Sequence, residues 1–129
     1  VAMLSFGNFG SVDHPYAHKM ARATAIARKL QPDLVVDGEM APDTALLPEI
    51  VDANFPHSRI RGDANVLIFP NVQSGNISLK LVQRLAGADV IGPILIGLNR
   101  PVNALNYYAS VQEIVNIATI TAIMAGEER

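Results

Sequence analysis

Short apolar runs and longer amphipathic stretches alternate along the chain. Val1 to Phe6 is apolar except for Ser5 and predicts a buried strand. From Pro15 to Leu30 the apolar positions Tyr16, Met20, Ala23, Ala27 and Leu30 recur at steps of four and three, the period of a helix with one buried face. Asp13 is placed to cap this helix, and Pro15 suits its first turn, where a missing N–H costs nothing. Gln31-Pro32-Asp33 stops it. Leu34-Val35-Val36-Asp37 predicts a second strand, which Gly38 ends. Residues 43 to 53 predict a broken helix, because Pro48 forces a restart. Val66 to Phe69 predicts a third strand, and Ser74 to Ala86 a helix with Ile77, Leu81, Val82 and Leu85 toward the sheet. Val90 to Leu98 predicts a fourth strand, Val102 to Leu105 a short extended piece, and Ser110 to Gly126 the last helix. Strands alternating with helices imply βαβ units, hence an α/β fold with a mainly parallel sheet and helices packed on it.

The last helix is apolar nearly all round, with Val111, Ile114, Val115, Ile117, Ala118, Ile120, Ala122, Ile123 and Met124. Such a helix needs cover on more than one side. It is expected to pack on another domain or subunit, which makes a homo-oligomer the expected assembly; burial wholly inside this domain is the alternative.

Composition narrows the function classes. Only 5% of the 129 residues are aromatic while half are hydrophobic, so Ala, Ile, Leu and Val fill the core, as suits helices on a parallel sheet. The net charge is −2 and the ten Lys and Arg residues are scattered, which argues against nucleic acid as a partner. The absence of cysteine removes disulfides, thiol chemistry and thiolate metal sites, and fits a cytoplasmic protein. The apolar run from Ile114 to Ala125 is too short to span a membrane. The chain opens on an apolar strand without an initiator Met or a basic leader, and reads as a piece of something longer, cut just before a core strand.

Candidate chemistry gathers where strands pass into helices, since ligands of α/β sheets bind beyond the carboxyl ends of the strands. The crossing from Phe69 through Pro70, Asn71, Ser74, Gly75 and Asn76 is lined with small hydrogen-bonding groups. The loop Gly7-Asn8-Phe9-Gly10-Ser11 follows the first strand, and its glycines allow positive φ and expose backbone N–H groups to an anion. Asp37 in Asp37-Gly38-Glu39 either reaches a ligand in the crevice or caps backbone N–H groups beside the Gly38 turn. Glu113 is a tempting catalytic acid, but Ser110-x-x-Glu113 ahead of an apolar run is a capping box, and capping accounts for it. His14 and His18 are four apart without a nearby carboxylate to complete a metal site, so they are expected on the surface and no metal is expected. The motifs of dinucleotide folds, P-loops, zinc proteases and α/β-hydrolases are absent.

Over nearly its whole length the chain resembles the phosphate acetyl/butyryltransferase family. The resemblance rests on Asp37-Gly38-Glu39-Met40, Phe55-Pro56, Ala64 to Asn71, Ser74-Gly75-Asn76-Ile77, Gln83 to Ala88, Gly92-Pro93-Ile94 and Arg100-Pro101-Val102-Asn103. It implies the C-terminal part of an isocitrate/isopropylmalate dehydrogenase-like, three-layer α/β fold with helices on both faces and a CoA cleft between two subdomains. Residues 1–105 would form most of the second subdomain, N-terminally truncated, and 106–129 a helix returning to the missing first subdomain or to an oligomer interface. In active transferases of the family the Pro-Val/Ile-Asn-x-Leu run is followed by Ser-Arg, with an Asp seven residues after the Ser. These are held to orient the thiol, to stabilise the anionic transition state and to take the thiol proton. Here Pro101-Val102-Asn103-Ala104-Leu105 is followed by Asn106-Tyr107, and Glu113 holds the acid position. Tyr107 lacks a guanidinium's charge and bidentate grip.

The Ser5-Phe6-Gly7-Asn8-Phe9-Gly10-Ser11 loop and the Ser110-Val111-x-x-Ile114-Val115-Asn116 run resemble one branch of the family, the C-terminal domain of bacterial NADP-dependent malic enzymes. The expectation is therefore an acetyl-CoA-binding regulatory domain without catalytic residues or a cofactor of its own. NADP and a divalent metal would belong to a fused malic enzyme domain. Asn8, Gly10, Ser11, Asn71, Asn76, Arg100, Asn106 and Tyr107 would contact acetyl-CoA. The alternatives are an active phosphate acyltransferase and a structural oligomerisation module.

Overall fold

A computed structural model describes residues 1–126. The chain forms two compact units, Val1–Lys80 and Leu81–Arg129. The last three residues of the expected 106–129 segment lie outside the described residues.

In the first unit the elements run β1 (Ala2–Leu4), α1 (Pro15–Leu30), β2 (Asp37–Met40), α2 (Pro42–Leu46), α3 (Pro48–Asn54) and β3 (Leu67–Ile68), followed by the start of α4 (Val72–Leu85). The strands form a parallel sheet of order β2-β1-β3. Central β1 sends alternate side chains to opposite faces. Ala2 and Leu4 join Met40, Ala45 and Ile60 in one core cluster, while Met3 joins Met20 and Val36 in the other. Helix α1 therefore covers one face, and Ala45 of α2 packs on the opposite one. The expected α/β architecture with a parallel sheet is what forms.

Helix α1 has the bounds its pattern predicts, and Met20, Ala23 and Ala27 pack as expected. Tyr16 and Leu30, at the two ends of that row, are exposed. The cap is His14 rather than Asp13. His14 is extended, and its Nδ1 accepts the Tyr16 N–H at 3.2 Å. Asp13 Oδ1 instead meets His18 Nε2 at 3.1 Å.

The second strand is displaced from its expected position. Leu34 lies in a turn closed by its N–H on the Gln31 carbonyl (3.2 Å), and pairing with β1 runs through Asp37–Met40. Gly38 does not end this strand but lies inside it, opposite Met3. A Cβ there would sit 2.5 Å from the Met3 carbonyl oxygen, and its φ of +137° belongs to glycine. Pro42 and Pro48 each occupy a first helical turn, which gives the broken helix expected around Pro48.

The second unit holds the rest of α4 and α5 (Val111–Gly126). Neither Val90–Leu98 nor Val102–Leu105 forms a strand. An apolar run becomes a strand only when a neighbour supplies N–H and C=O groups, and positive φ at Gly92 and Gly97 interrupts this one. Asn103 ties the segment down instead. Its Oδ1 accepts the Leu95 N–H and its Nδ2 donates to Thr121 Oγ1 on α5, both at 2.8 Å.

The expected sheet-facing row of α4, Ile77, Leu81, Val82 and Leu85, is exposed. On α5 only Ile117 is buried, and Val111, Ile114, Val115 and Ile123 are exposed. The start of α5 is the capping box the sequence shows. The Ser110 N–H donates to Glu113 Oε2 at 2.7 Å, and the Glu113 N–H returns to Ser110 Oγ at 3.2 Å. Ser110→Ala is expected to cost the first turn about 1 kcal/mol, seen as roughly fivefold faster amide exchange at Glu113 and Ile114; unchanged exchange would deny the box that role. Among the described residues no helix is long and apolar enough to cross a membrane.

Candidate functional site

Three parallel strands bring their carboxyl ends to one edge, and there the first unit opens a cavity of about 600 Å³. Leu4, Ser5 and Phe6 reach it from the end of β1, Pro42 from beyond β2, and Phe69, Pro70 and Asn71 from beyond β3. Helix α1 adds Tyr16 and Lys19, and α4 adds Ser74. Lys19 is a cation and no carboxylate among the described residues lines the wall, so the cavity suits a ligand that carries negative charge or many acceptors.

The crossing after β3 is built by Asn71. Its Oδ1 accepts the Ser74 N–H at 2.9 Å, and Ser74 Oγ donates back to the Asn71 carbonyl at 3.1 Å, which starts α4. Lys19 Nζ donates to the Pro70 carbonyl and pins α1 to the same crossing.

The loop after β1 is spent on the chain itself. Asn8 Oδ1 accepts the Ala41 N–H at 2.7 Å, and the Asn8 N–H donates to Ser11 Oγ at 2.9 Å. The Gly10 N–H donates to Glu39 Oε1 at 2.6 Å. The backbone donor that the sequence offers to a ligand anion is thus held by a carboxylate of β2, and Glu39 is only 3% exposed. Asn8, Gly10 and Ser11 do not line the cavity; Asn8 and Gly10 lash the loop to the end of β2, and Ser11 closes the loop on Asn8.

Asp37, also 3% exposed, takes the capping role of its two readings. Its Oδ1 accepts the Gly38 N–H at 2.9 Å and pairs with the Arg28 guanidinium. Its Oδ2 accepts the Arg59 N–H at 2.6 Å and Ser58 Oγ–H at 3.1 Å. A buried carboxylate is tolerated when donors surround it in this way.

Asn76 lies on α4 and is not part of the cavity wall. The other candidates belong to the second unit. Arg100 lines a separate cavity of about 220 Å³ with Leu95, Leu98 and Met124. Asn106 begins a turn in which its carbonyl accepts the Ala109 N–H at 3.0 Å. Tyr107 is fully exposed, edge-on to Tyr108 with ring centroids 5.0 Å apart. Among the described residues no group of three or more His, Asp and Glu side chains is arranged to hold a metal.

Sequence reasoning missed Tyr16 and Lys19. The signal was available: a helix that follows a parallel strand starts near that strand's carboxyl end, so polar residues in its first turns reach the ligand edge.

Residues 1–122 match the model of a family described as phosphate acetyl/butaryl transferase. The phosphate acetyltransferase of Thermoanaerobacterium thermosaccharolyticum is 49% identical over 125 residues, covering 97% of this chain and 38% of that protein. That of Bacillus subtilis is 44% identical over 125 residues, covering 97% of this chain and 39% of that protein. A crystal structure of a phosphotransacetylase from Streptococcus pyogenes superposes with a TM-score of 0.93 at 48% identity, covering 98% of this chain and 38% of that one. The chain thus spans about two fifths of the length of these relatives. They overturn the expected regulatory domain of an NADP-dependent malic enzyme and favour the alternative, a phosphate acyltransferase. That expectation rested on the runs Ser5–Ser11 and Ser110–Asn116 and on Asn106-Tyr107 in place of Ser-Arg, which weigh less than an identity of nearly half across the same span.

Proposed function

Because the chain belongs to the phosphate acetyl/butyryltransferase family, we propose that it is part of a working phosphate acyltransferase that moves an acetyl or similar acyl group between CoA and phosphate. A phosphate oxygen bonds to the thioester carbonyl, the carbon–sulfur bond breaks, and the leaving thiolate takes a proton. CoA and phosphate are substrates, and the reaction calls for no resident cofactor. The observation that carries the reading is the 49% identity over 125 residues to a phosphate acetyltransferase. The cavity at the sheet edge is in keeping with it, since Lys19 gives the wall a positive charge that suits two anionic substrates.

The same resemblance extends the proposal to an isocitrate/isopropylmalate dehydrogenase-like fold for the whole protein, a cytoplasmic location and a homo-oligomer. The exposed apolar residues of α5 support the last of these.

The test is acetyl-CoA consumption by the protein at its full native length, read as CoA thiol release that depends on added phosphate. The expected kcat is about 0.1 per second. That is two orders below the common enzyme value of about 10 per second, because the Arg that active relatives place next to the reacting groups is Tyr107 here. No phosphate-dependent thiol release at millimolar acetyl-CoA would remove the proposal.

A further inference from the structure

We propose that His14 is a positioning residue for the cavity: its neutral imidazole holds the aromatic side of the wall in place, and protonation releases that side. Three rings stand in a row. Phe6, from the loop after β1, meets His14 edge-on with centroids 5.5 Å apart. His14 meets Tyr16 of α1 edge-on at 4.9 Å. Phe6 and Tyr16 line the cavity although they are 59% and 67% exposed. His14 connects the two elements that carry them.

The same imidazole starts the helix. Nδ1 accepts the Tyr16 N–H at 3.2 Å, and the His14 carbonyl accepts the His18 N–H at 3.0 Å. An accepting Nδ1 carries a lone pair, so this geometry assigns the proton of the neutral ring to Nε2. Protonation turns Nδ1 into a donor facing a donor, and the cap is lost. It also places a cation at the positive end of a 16-residue helix. Both effects loosen the first turn, which carries Tyr16. The following turn carries Lys19, bonded to the Pro70 carbonyl at the crossing after β3.

The charged groups near His14 are engaged elsewhere. Phe6 faces it from the β1 loop without charge. On its own side Asp13 is engaged with His18 Nε2, and Lys19 points to Pro70.

The inference rests on the proposed acyl transfer only for its kinetic readout, and a second readout is independent of it. In the full-length protein, the Tyr16 amide resonance is expected to move with pH in step with the His14 ring resonances. As the His14 ring gains its second proton, KM for acetyl-CoA is expected to rise about three- to tenfold, with kcat unchanged by this step. His14→Asn keeps an acceptor that does not titrate, so both pH dependences should vanish. His14→Phe keeps the ring and loses the acceptor, so KM should be raised at every pH. His18→Gln should leave the profile as it was. A wild-type pH profile in His14→Asn, or a Tyr16 amide that ignores the His14 titration, overturns the proposal. If acyl transfer itself is missing, the function proposed above fails while the Tyr16 amide still decides the role of His14.

Discussion

Exchanging Asn106 for Ser and Tyr107 for Arg together is expected to raise kcat for acyl transfer about 100-fold, from about 0.1 to about 10 per second. The run Pro101-Val102-Asn103-Ala104-Leu105 resembles the segment that active transferases follow with Ser-Arg, and here the next residues are Asn106-Tyr107. Acyl transfer develops negative charge on the carbonyl oxygen and on the leaving sulfur. A guanidinium meets that charge in the transition state more than in the ground state, so its effect belongs in kcat. A phenol supplies no charge. The exchange asks little of the fold, because Tyr107 is fully exposed and the turn bond at Asn106 is made by its backbone carbonyl, which any residue provides. Steady-state kinetics in both directions checks the result. A double variant with unchanged kcat and KM would place these positions outside the reacting groups. Adding Glu113→Asp separates a further question, since Glu113 holds the acid position of the resemblance while its carboxylate receives Ser110 N–H and O–H.

What was legible in the sequence is what depends on neighbours along the chain. The bounds of α1 follow from Pro15 and the Gln31-Pro32 stop, the break at Pro48 from proline chemistry, and the Ser110–Glu113 box from spacing alone. The misses share a different cause. Leu34-Val35-Val36 carries the strand-like composition, but the strand is Asp37-Gly38-Glu39-Met40, whose acids are buried because distant groups meet them. Arg28, Ser58 and Arg59 serve Asp37, and Gly10 serves Glu39; none of these pairings shows in a local window. Val90–Leu98 has the hydrophobicity of a strand and has no ladder partner among the described residues. The period on α4 identifies residues that share a face without telling whether anything covers it.

The site divides in the same way. The rule that ligand edges lie at strand ends put Asn71 at the wall of a real cavity. The same rule applied to Asn8, Gly10 and Ser11 met a competitor invisible in the sequence, since Glu39 and Ala41 already satisfy Gly10 and Asn8. The sequence places His14 on the surface, where it lies; that this exposed imidazole also caps a helix between two cavity rings depends on the loop after β1, which brings Phe6 to it.

Asp37→Ala is expected to destabilise the first unit by about 3 kcal/mol, a large share of the stability of a domain this size. The side chain is buried and answers one guanidinium, one hydroxyl and two backbone N–H groups. Removing it strands the Ser58 hydroxyl, itself buried, and leaves the Arg59 N–H without its acceptor, at about 1 to 3 kcal/mol for each group that water does not reach. The Arg28 side chain is 38% exposed, so its guanidinium recovers part of the loss from solvent. The order of the variants tests the argument more sharply than one value. Asp37→Asn keeps an acceptor without the charge and should lose about half as much. Arg28→Met leaves the carboxylate with three donors and should also cost less than Asp37→Ala. Amide exchange at Ala2 and Ser5, whose N–H groups bond across the sheet to Val66 and Met40, reports the opening of this unit without assuming that the whole chain unfolds together. A loss of about 3 kcal/mol there means exchange roughly 100-fold faster. An Asp37→Ala variant that exchanges as slowly as the parent would show that the carboxylate is kept for a ligand rather than for the fold.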